Sequence, residues 1–127
     1  MKLSEHDLAC LELAKSIITK NPDDHITIDY LSRKVGLNKK KLKYGFKRQN
    51  GMPIHDFQVT LRMNKAVELL KHTTAPIKEI AFKTGYKTIS SFSFAFRKKY
   101  QKPPSQCRSN DESNHLVPNG TEKVPIR

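Results

Sequence analysis

The sequence lacks most of what would mark a secreted, membrane or catalytic protein. Its only two cysteines, Cys10 and Cys107, stand far apart and outside any CxxC spacing. One disulfide is the most they can form, and a reducing compartment with two idle or buried thiols is the expected setting. There is no His-x3-His pair, no Gly-rich phosphate loop and no nucleophile elbow. The dense His/acid groups, Asp23-Asp24-His25 and His55-Asp56, fall at expected helix edges, and the histidines read as surface or capping residues. Catalysis, a metal and a cofactor are therefore not expected. No apolar run approaches the length of a membrane span. The opening stretch MKLSEHDLACLELAKSIITK is not a signal peptide, because Glu5, Asp7, Glu12 and Lys15 interrupt any apolar centre. The expectation is a soluble, cytoplasmic chain with no membrane partner. No stretch alternates apolar and polar residues with period two, so the class reads as all-α.

Acid is also missing from two long blocks. Eight bases and no acid lie between Arg33 and Arg48 (Arg33, Lys34, Lys39, Lys40, Lys41, Lys43, Lys47, Arg48). A second acid-free block runs from Lys83 to Lys102 and holds Lys83, Lys87, Arg97, Lys98, Lys99 and Lys102. The first thirty residues, by contrast, carry three Lys against six Asp/Glu. The whole chain of 127 residues has a formal net charge of +12. Such an excess favours a polyanionic partner and says little about fold. Residues 109–127 are rich in Ser, Asn, Pro and Gly and have no aromatics, so a flexible tail is expected there.

Caps and stops divide the rest into helices. Ser4 with Asp7 makes a capping-box-like start, Leu8, Leu11, Ala14, Ile17 and Ile18 follow at helical spacing, and Asn21-Pro22 stops the helix. Thr27 caps a short helix, Ile28 to Val35, and Gly36 is placed as its left-handed terminator. Asn38 caps the next helix, which Gly51-Met52-Pro53 ends. A long helix of about Ile54 to His72 carries Phe57, Leu61, Ala66, Leu69 and Leu70. Pro76 opens a short helix through Thr84, with Ile77, Ile80 and Ala81 on it, and Gly85 closes it. Thr88 caps a helix reaching about Tyr100, and Pro103-Pro104 starts a last turn.

Two of these stretches repeat. Ile28, Leu31 and Gly36 correspond to Ile77, Ile80 and Gly85, 49 residues on. Asn38, Leu42, Phe46, Lys47 and Pro53 correspond to Thr88, Phe92, Phe96, Arg97 and Pro103, 50 residues on. Each unit reads as short helix, Gly turn, cap and longer basic helix, the helix-turn-helix pattern. At about 100° per residue the two longer helices sort into faces. In the first, Leu42, Gly45, Phe46 and Gln49 form an anchoring side, and Lys40, Lys43, Tyr44 and Lys47 face away from it. In the second, Phe92, Ala95, Phe96 and Lys99 form the anchoring side, with Lys99 free to snorkel outward, while Ser90, Ser93, Phe94 and Arg97 face outward, with Ile89 just ahead of them. Gly45 in mid-helix points to close packing of the preceding helix, and Arg62 reads as a structural or phosphate contact.

From about Leu11 to Arg108 the sequence resembles the DNA-binding domain of AraC/XylS-type transcription regulators. The motifs LSRKVGLNKKKLKYGFK, LRMNKAVELL, IKEIAFKTGY and FSFAFRKKYQKPPSQCR carry the likeness in order and at the right separations. The resemblance implies about seven helices in two homeodomain-like helix-turn-helix subdomains joined by a long linker helix. The corresponding segments are 1–52, 53–73 and 74–108, with the tail after them. It implies sequence-specific binding of double-stranded promoter DNA and regulation of transcription, more often as an activator, with RNA polymerase as a further partner. Two recognition helices would enter successive major grooves about 34 Å apart.

Carried over residue by residue, base contacts fall at Lys40, Lys43, Tyr44, Ile89, Ser90, Ser93 and Phe94. Lys39, Lys41, Lys47, Arg48, Arg97 and Lys98 are the expected phosphate contacts. Three positions depart from the family pattern. Phe94 stands where Arg is common, Cys107 where Tyr is common, and Gln101 where Gly is usual. Phe94 offers no hydrogen bond to a base edge, only apolar contact such as with a thymine methyl, unless it folds back onto the protein. A complete chain starting at Met1 would bind as a monomer and act by abundance. A fragment would have its signal read, and its dimer formed, by an N-terminal domain of the kind many relatives carry. The alternative from another class is a non-specific nucleic-acid binder, such as a nucleoid or RNA-associated protein.

Overall fold

In the computed structural model, which describes residues 1–108, Ser4 opens helix α1 (Glu5–Lys20) with a reciprocal cap. Its Oγ accepts from the Asp7 N–H at 3.0 Å, and the Asp7 carboxylate accepts from the Ser4 N–H at 3.0 Å. Thr27 caps α2 (Ile28–Val35) through the Tyr30 N–H, and Gly36 ends it at φ 75. Asn38 caps α3 (Lys39–Asn50) through the Lys41 N–H at 2.8 Å, and Gly51 ends that helix, again at φ 75. Then come α4 (Ile54–His72), α5 (Ile77–Lys83) and α6 (Ile89–Tyr100), the last capped by Thr88. A final helical turn, α7, occupies 104–108. The described residues are all-helical, as the missing period-two pattern requires. The tail expected from residue 109 onward lies outside the described residues.

Two compact units divide the chain. One spans Met1–Arg62 and the other begins at Met63, so the division falls inside α4. In the first unit α1, α2 and α3 pack against one another. Leu11, Ala14, Ile18, Leu31, Leu42 and Phe46 are fully removed from solvent, and the Phe57 ring meets Phe46 edge-on at 5.3 Å. At about 25 cal/mol per Å² of apolar surface, each of the Leu, Ile and Phe side chains contributes on the order of 2 kcal/mol.

The buried stripe of α1 differs from the expected one. Leu8 is 38% exposed, while Asp7 and Cys10 are buried. The Asp7 carboxylate, drawn inward by the Ser4 amide and by Lys41, takes the place on the inner face and leaves Leu8 about 100° round the helix. Cys10 and Cys107 are both free and buried thiols. The close packing at Gly45 also has another source than α2. A Cβ at Gly45 would lie 2.5 Å from Leu11 Cδ1 and 3.3 Å from Leu3 Cδ1, so it is α1 and the segment before it that press on α3.

The long helix buries more than its apolar stripe. Gln58 and Arg62 are buried, whereas Phe57, Leu61 and Leu69 are half-buried. Arg62 donates to the carbonyls of Pro22 at 3.3 Å and Asp24 at 2.9 Å, and its Nη2 lies 3.1 Å from His25 Nδ1. Gln58 pairs both ways with the Ile26 backbone, at 3.2 and 2.8 Å. Together they hold the α1–α2 loop, whose peptide groups have no helix of their own to satisfy them. Arg62 is thus structural, one of the two roles its position allowed.

In the second unit α5 and α6 pack together, with Ile80, Phe92 and Phe96 fully buried. Tyr86, Phe92, Phe96 and Tyr100 form a chain of aromatic contacts with successive centroids 5.7, 6.0 and 4.7 Å apart. Thr84 is buried with them, its hydroxyl donating to Ile80 O at 2.8 Å. Arg108 closes the unit by donating to the carbonyls of Leu70 and Thr73, both at 3.0 Å, at the free end of α4. Gln101 ends α6 at φ 59, a left-handed conformation that costs a non-glycine residue roughly 1 kcal/mol. The glycine usual there would meet the same geometry without that cost. Gln101 offsets part of it by donating its side-chain amide to Lys98 O at 3.0 Å.

Candidate nucleic-acid interface

Helix α3 is locked on one side and open on the other. Leu42, Gly45 and Phe46 are buried against the first-unit core, while Lys40, Lys43 and Lys47 are exposed and Tyr44 is half-buried. Gln49, placed by spacing on the anchoring side, is exposed instead, because the buried face ends with Phe46 one turn earlier. Lys40, Lys43 and Lys47 have no carboxylate partner among the described residues. Three cations at i, i+3 and i+7 therefore share one solvent-facing row.

Their neighbours in the lysine triplet are placed differently. Lys39 Nζ lies 2.6 Å from Asp29 Oδ1 of α2, whose other oxygen is 3.4 Å from Arg33. Lys41 Nζ lies 3.2 Å from Asp7 Oδ2 of α1. The Ser4 amide, chiefly, and then Lys41 hold the Asp7 carboxyl below the usual carboxylate range against the opposing effect of burial. The Lys39 ammonium, followed by Arg33, does the same for Asp29. Arg48 donates to the Tyr44 hydroxyl at 2.9 Å, with its guanidinium 6.0 Å from the ring centroid, and so fixes the orientation of that ring.

The second open face is of another kind. On α6, Ile89, Ser90, Phe94, Arg97 and Lys98 are exposed and Ser93 is half-buried, opposite the buried Phe92 and Phe96. Phe94 is 70% exposed, so it does not fold back onto the protein. The outward row thus presents two hydroxyls, an aromatic ring and an Ile, with charge only at its C-terminal end. Each set of predicted base-contact residues lies on the outward side of its own helix.

The carboxylates that engage Lys39 and Lys41 were not among the expected site residues. Asp29 and Arg33 lie at i, i+4, a visible signal, but the Asp7–Lys41 contact spans 34 residues and has no local signature. Among the described residues no helix is long and apolar enough to cross a membrane, and no His/Cys/Asp/Glu group could hold a metal.

A buried aromatic-aliphatic face beneath an exposed polar or basic row, twice over, defines a tandem helix-turn-helix protein. Residues 31–110 match the family described as "Helix-turn-helix domain". The chain belongs to that family, as a DNA-binding domain of the AraC/XylS type. It is 31% identical over 96 residues to the HTH-type transcriptional regulator MtrA of Neisseria gonorrhoeae, covering 76% of this chain and 32% of that one. Among solved structures it is similar to the C-terminal domain of the two-component response regulator yesN from Fusobacterium nucleatum. There the identity is 36% and the TM-score 0.70, over 76% of this chain and 95% of that one. The DNA-binding domain of the global transcriptional factor AdpA, solved in complex with a target DNA, shares the fold at TM-score 0.77. It is 15% identical, over 84% of this chain and 96% of that one. The chain spans only 16% to 38% of the length of the first curated relatives it matches.

Proposed function

We propose that the chain binds double-stranded DNA with sequence preference and regulates transcription through two reading heads, as a binding module without catalytic chemistry. The observation that supports this best is the row of Lys40, Lys43 and Lys47, unpaired with any described carboxylate, on a helix whose opposite face is locked into a core. Lys40 and Lys43 suit guanine O6 and N7 in a major groove, and Tyr44, held by Arg48, supplies a ring edge beside them. Ile89, Ser90, Ser93 and Phe94 read a second groove, largely by hydroxyl and apolar contact. Lys39, Lys47, Arg48, Arg97 and Lys98 bind phosphates and set register, while Lys41, paired with the buried Asp7, ties α1 to α3 instead. The first head supplies most of the affinity, because the second has far less charge on its reading face. The segments 1–52, 53–73 and 74–108 act as head, linker and head. The chain by itself binds as a monomer in the cytoplasm, and RNA polymerase is the partner through which it activates.

Selection from a randomised duplex pool, followed by titration across a salt series, tests this. A recovered motif should bind about a thousand-fold or more tighter than scrambled duplex at physiological salt. Equal affinities with equal salt slopes would replace this reading with that of a non-specific nucleic-acid binder.

A further inference from the structure

The three consecutive lysines of α3 are not equivalent. Lys41 is bound to a buried carboxylate, Asp7, that also caps α1, so its ion pair belongs to the packing of α1 on α3. Lys40 has no described carboxylate within reach. Lys39 lies between these cases. It meets Asp29 at 2.6 Å, yet both side chains are more than half or about half exposed, at 57% and 50%. An ion pair so open to water exchanges readily for another anion of similar geometry. Lys39 is also the first residue of α3, where the helix dipole disfavours a cation and favours an anion close by. The Asp29 carboxylate supplies that anion, and a backbone phosphate would supply it as well.

We infer that Asp29 acts as an internal stand-in for a DNA phosphate, competing for Lys39 and so lowering both the affinity for duplex DNA and its salt dependence. This rests on the DNA-binding reading. Asp29 acts through Lys39 and is a positioning residue. On random duplex, Lys39 gains little by leaving one anion for another, and the counterion that a free lysine would displace is not released. At a matched site, where Lys40 and Lys43 fix the helix in the groove, a phosphate is held beside Lys39 and the exchange follows. The Lys39–Asp29 pair must open for that exchange, so Asp29 costs the matched site at least as much affinity as it costs random duplex.

The test is a salt series on a randomised duplex and on the selected motif for wild type, Asp29→Asn, Asp29→Glu, Lys39→Ala and the Asp29→Asn/Lys39→Ala double variant. Melting curves of each verify folding. Asp29→Asn should tighten random duplex about 3- to 10-fold at low salt and steepen its log–log salt slope by about 0.9, the value for one added phosphate contact. Because Arg33 shares the same carboxylate, the double variant separates the two bases. In the Lys39→Ala background Asp29→Asn should move the slope little, whereas Asp29→Glu, with Lys39 present, should keep the wild-type affinity and slope. A merely structural Asp29 would shift melting and leave the slope alone. An unchanged slope in a folded Asp29→Asn protein, or a motif that tightens less than random duplex, overturns the inference while DNA binding stands. A wild-type chain that binds no duplex at any salt removes the parent reading and this one together.

Discussion

Gly45 faces Leu11 with room for a hydrogen and nothing larger: a Cβ there would lie 2.5 Å from Leu11 Cδ1 and 3.2 Å from Cδ2. Leu11 is fully buried, so its methyls can move aside only by displacing their core neighbours. On an open helix Gly→Ala gains about 1 kcal/mol. Here overpacking of about 1–3 kcal/mol opposes it. Gly45→Ala should therefore destabilise the first unit by about 1 kcal/mol. In a Leu11→Ala background, with the methyls gone, the same change should stabilise. Urea denaturation of the four proteins gives the coupling, and additive effects would refute the clash.

Arg62 presents a second case of contact at long sequence separation. Its donors serve the carbonyls of Pro22 and Asp24 from inside the first unit. Arg62→Ala should cost about 3 kcal/mol, since bonds from a charged group contribute about 1.5–3 kcal/mol each and the carbonyls would lose their partner. Arg62→Lys should cost less, yet still measurably, because an ammonium lacks the fork that spans both acceptors. Amide exchange should speed up first in the loop 21–26. Uniform protection there in both variants would show that other contacts hold the loop.

Acid should act through Asp7. Its folded-state carboxyl is held below the ordinary value, first by the Ser4 amide and then by Lys41, so it binds its proton more weakly folded than unfolded. The stability it contributes is complete above the unfolded value of about 3.9 and disappears as pH falls through the lower folded value. Asp7→Asn should melt below wild type at pH 7, and the gap should close as pH drops below about 4. A gap that stays constant down to pH 2 would remove Asp7 from the acid response.

These three relationships show what was legible beforehand. Ser4, Thr27, Asn38 and Thr88 act on amides three residues away, and Gly36 and Gly51 on their own φ, so local rules placed the helices. The outward rows of α3 and α6 followed from helical period alone. The partners that Gln58, Arg62 and Asp7 find on other elements, and the neighbour of Gly45, were not legible. They lie 32 to 40 residues away, or on α1 rather than the adjacent helix, and no spacing rule encodes a polar contact at that distance. Lys39 and Lys41 looked like free charge because their acids lie on other helices.

Lys43 and Lys47 should separate reading from holding. Lys43→Ala should lose about 1–3 kcal/mol of discrimination at one position of the first half-site. Lys47→Ala should weaken every duplex alike and lower the salt slope by about 1. Footprints and salt titrations of the two variants check this, and identical profiles would contradict the division.

Phe94, largely in water, should matter to DNA and not to folding. Phe94→Ser should leave the melting temperature nearly unchanged, within about 0.5 kcal/mol. It should weaken binding to the selected motif several-fold, chiefly in the second half-site. Lost stability with unaltered binding would mark the ring as a structural group.

The two buried thiols supply each unit with its own clock. Cys10 lies in the unit ending at Arg62 and Cys107 in the one beginning at Met63, each about 95% shielded from water. A thiol-reactive dye can reach either sulfur only after its surroundings open. Single-cysteine variants would then report opening of each unit separately. The ratio of the two labelling rates would measure whether the heads come apart as one cooperative body or as two.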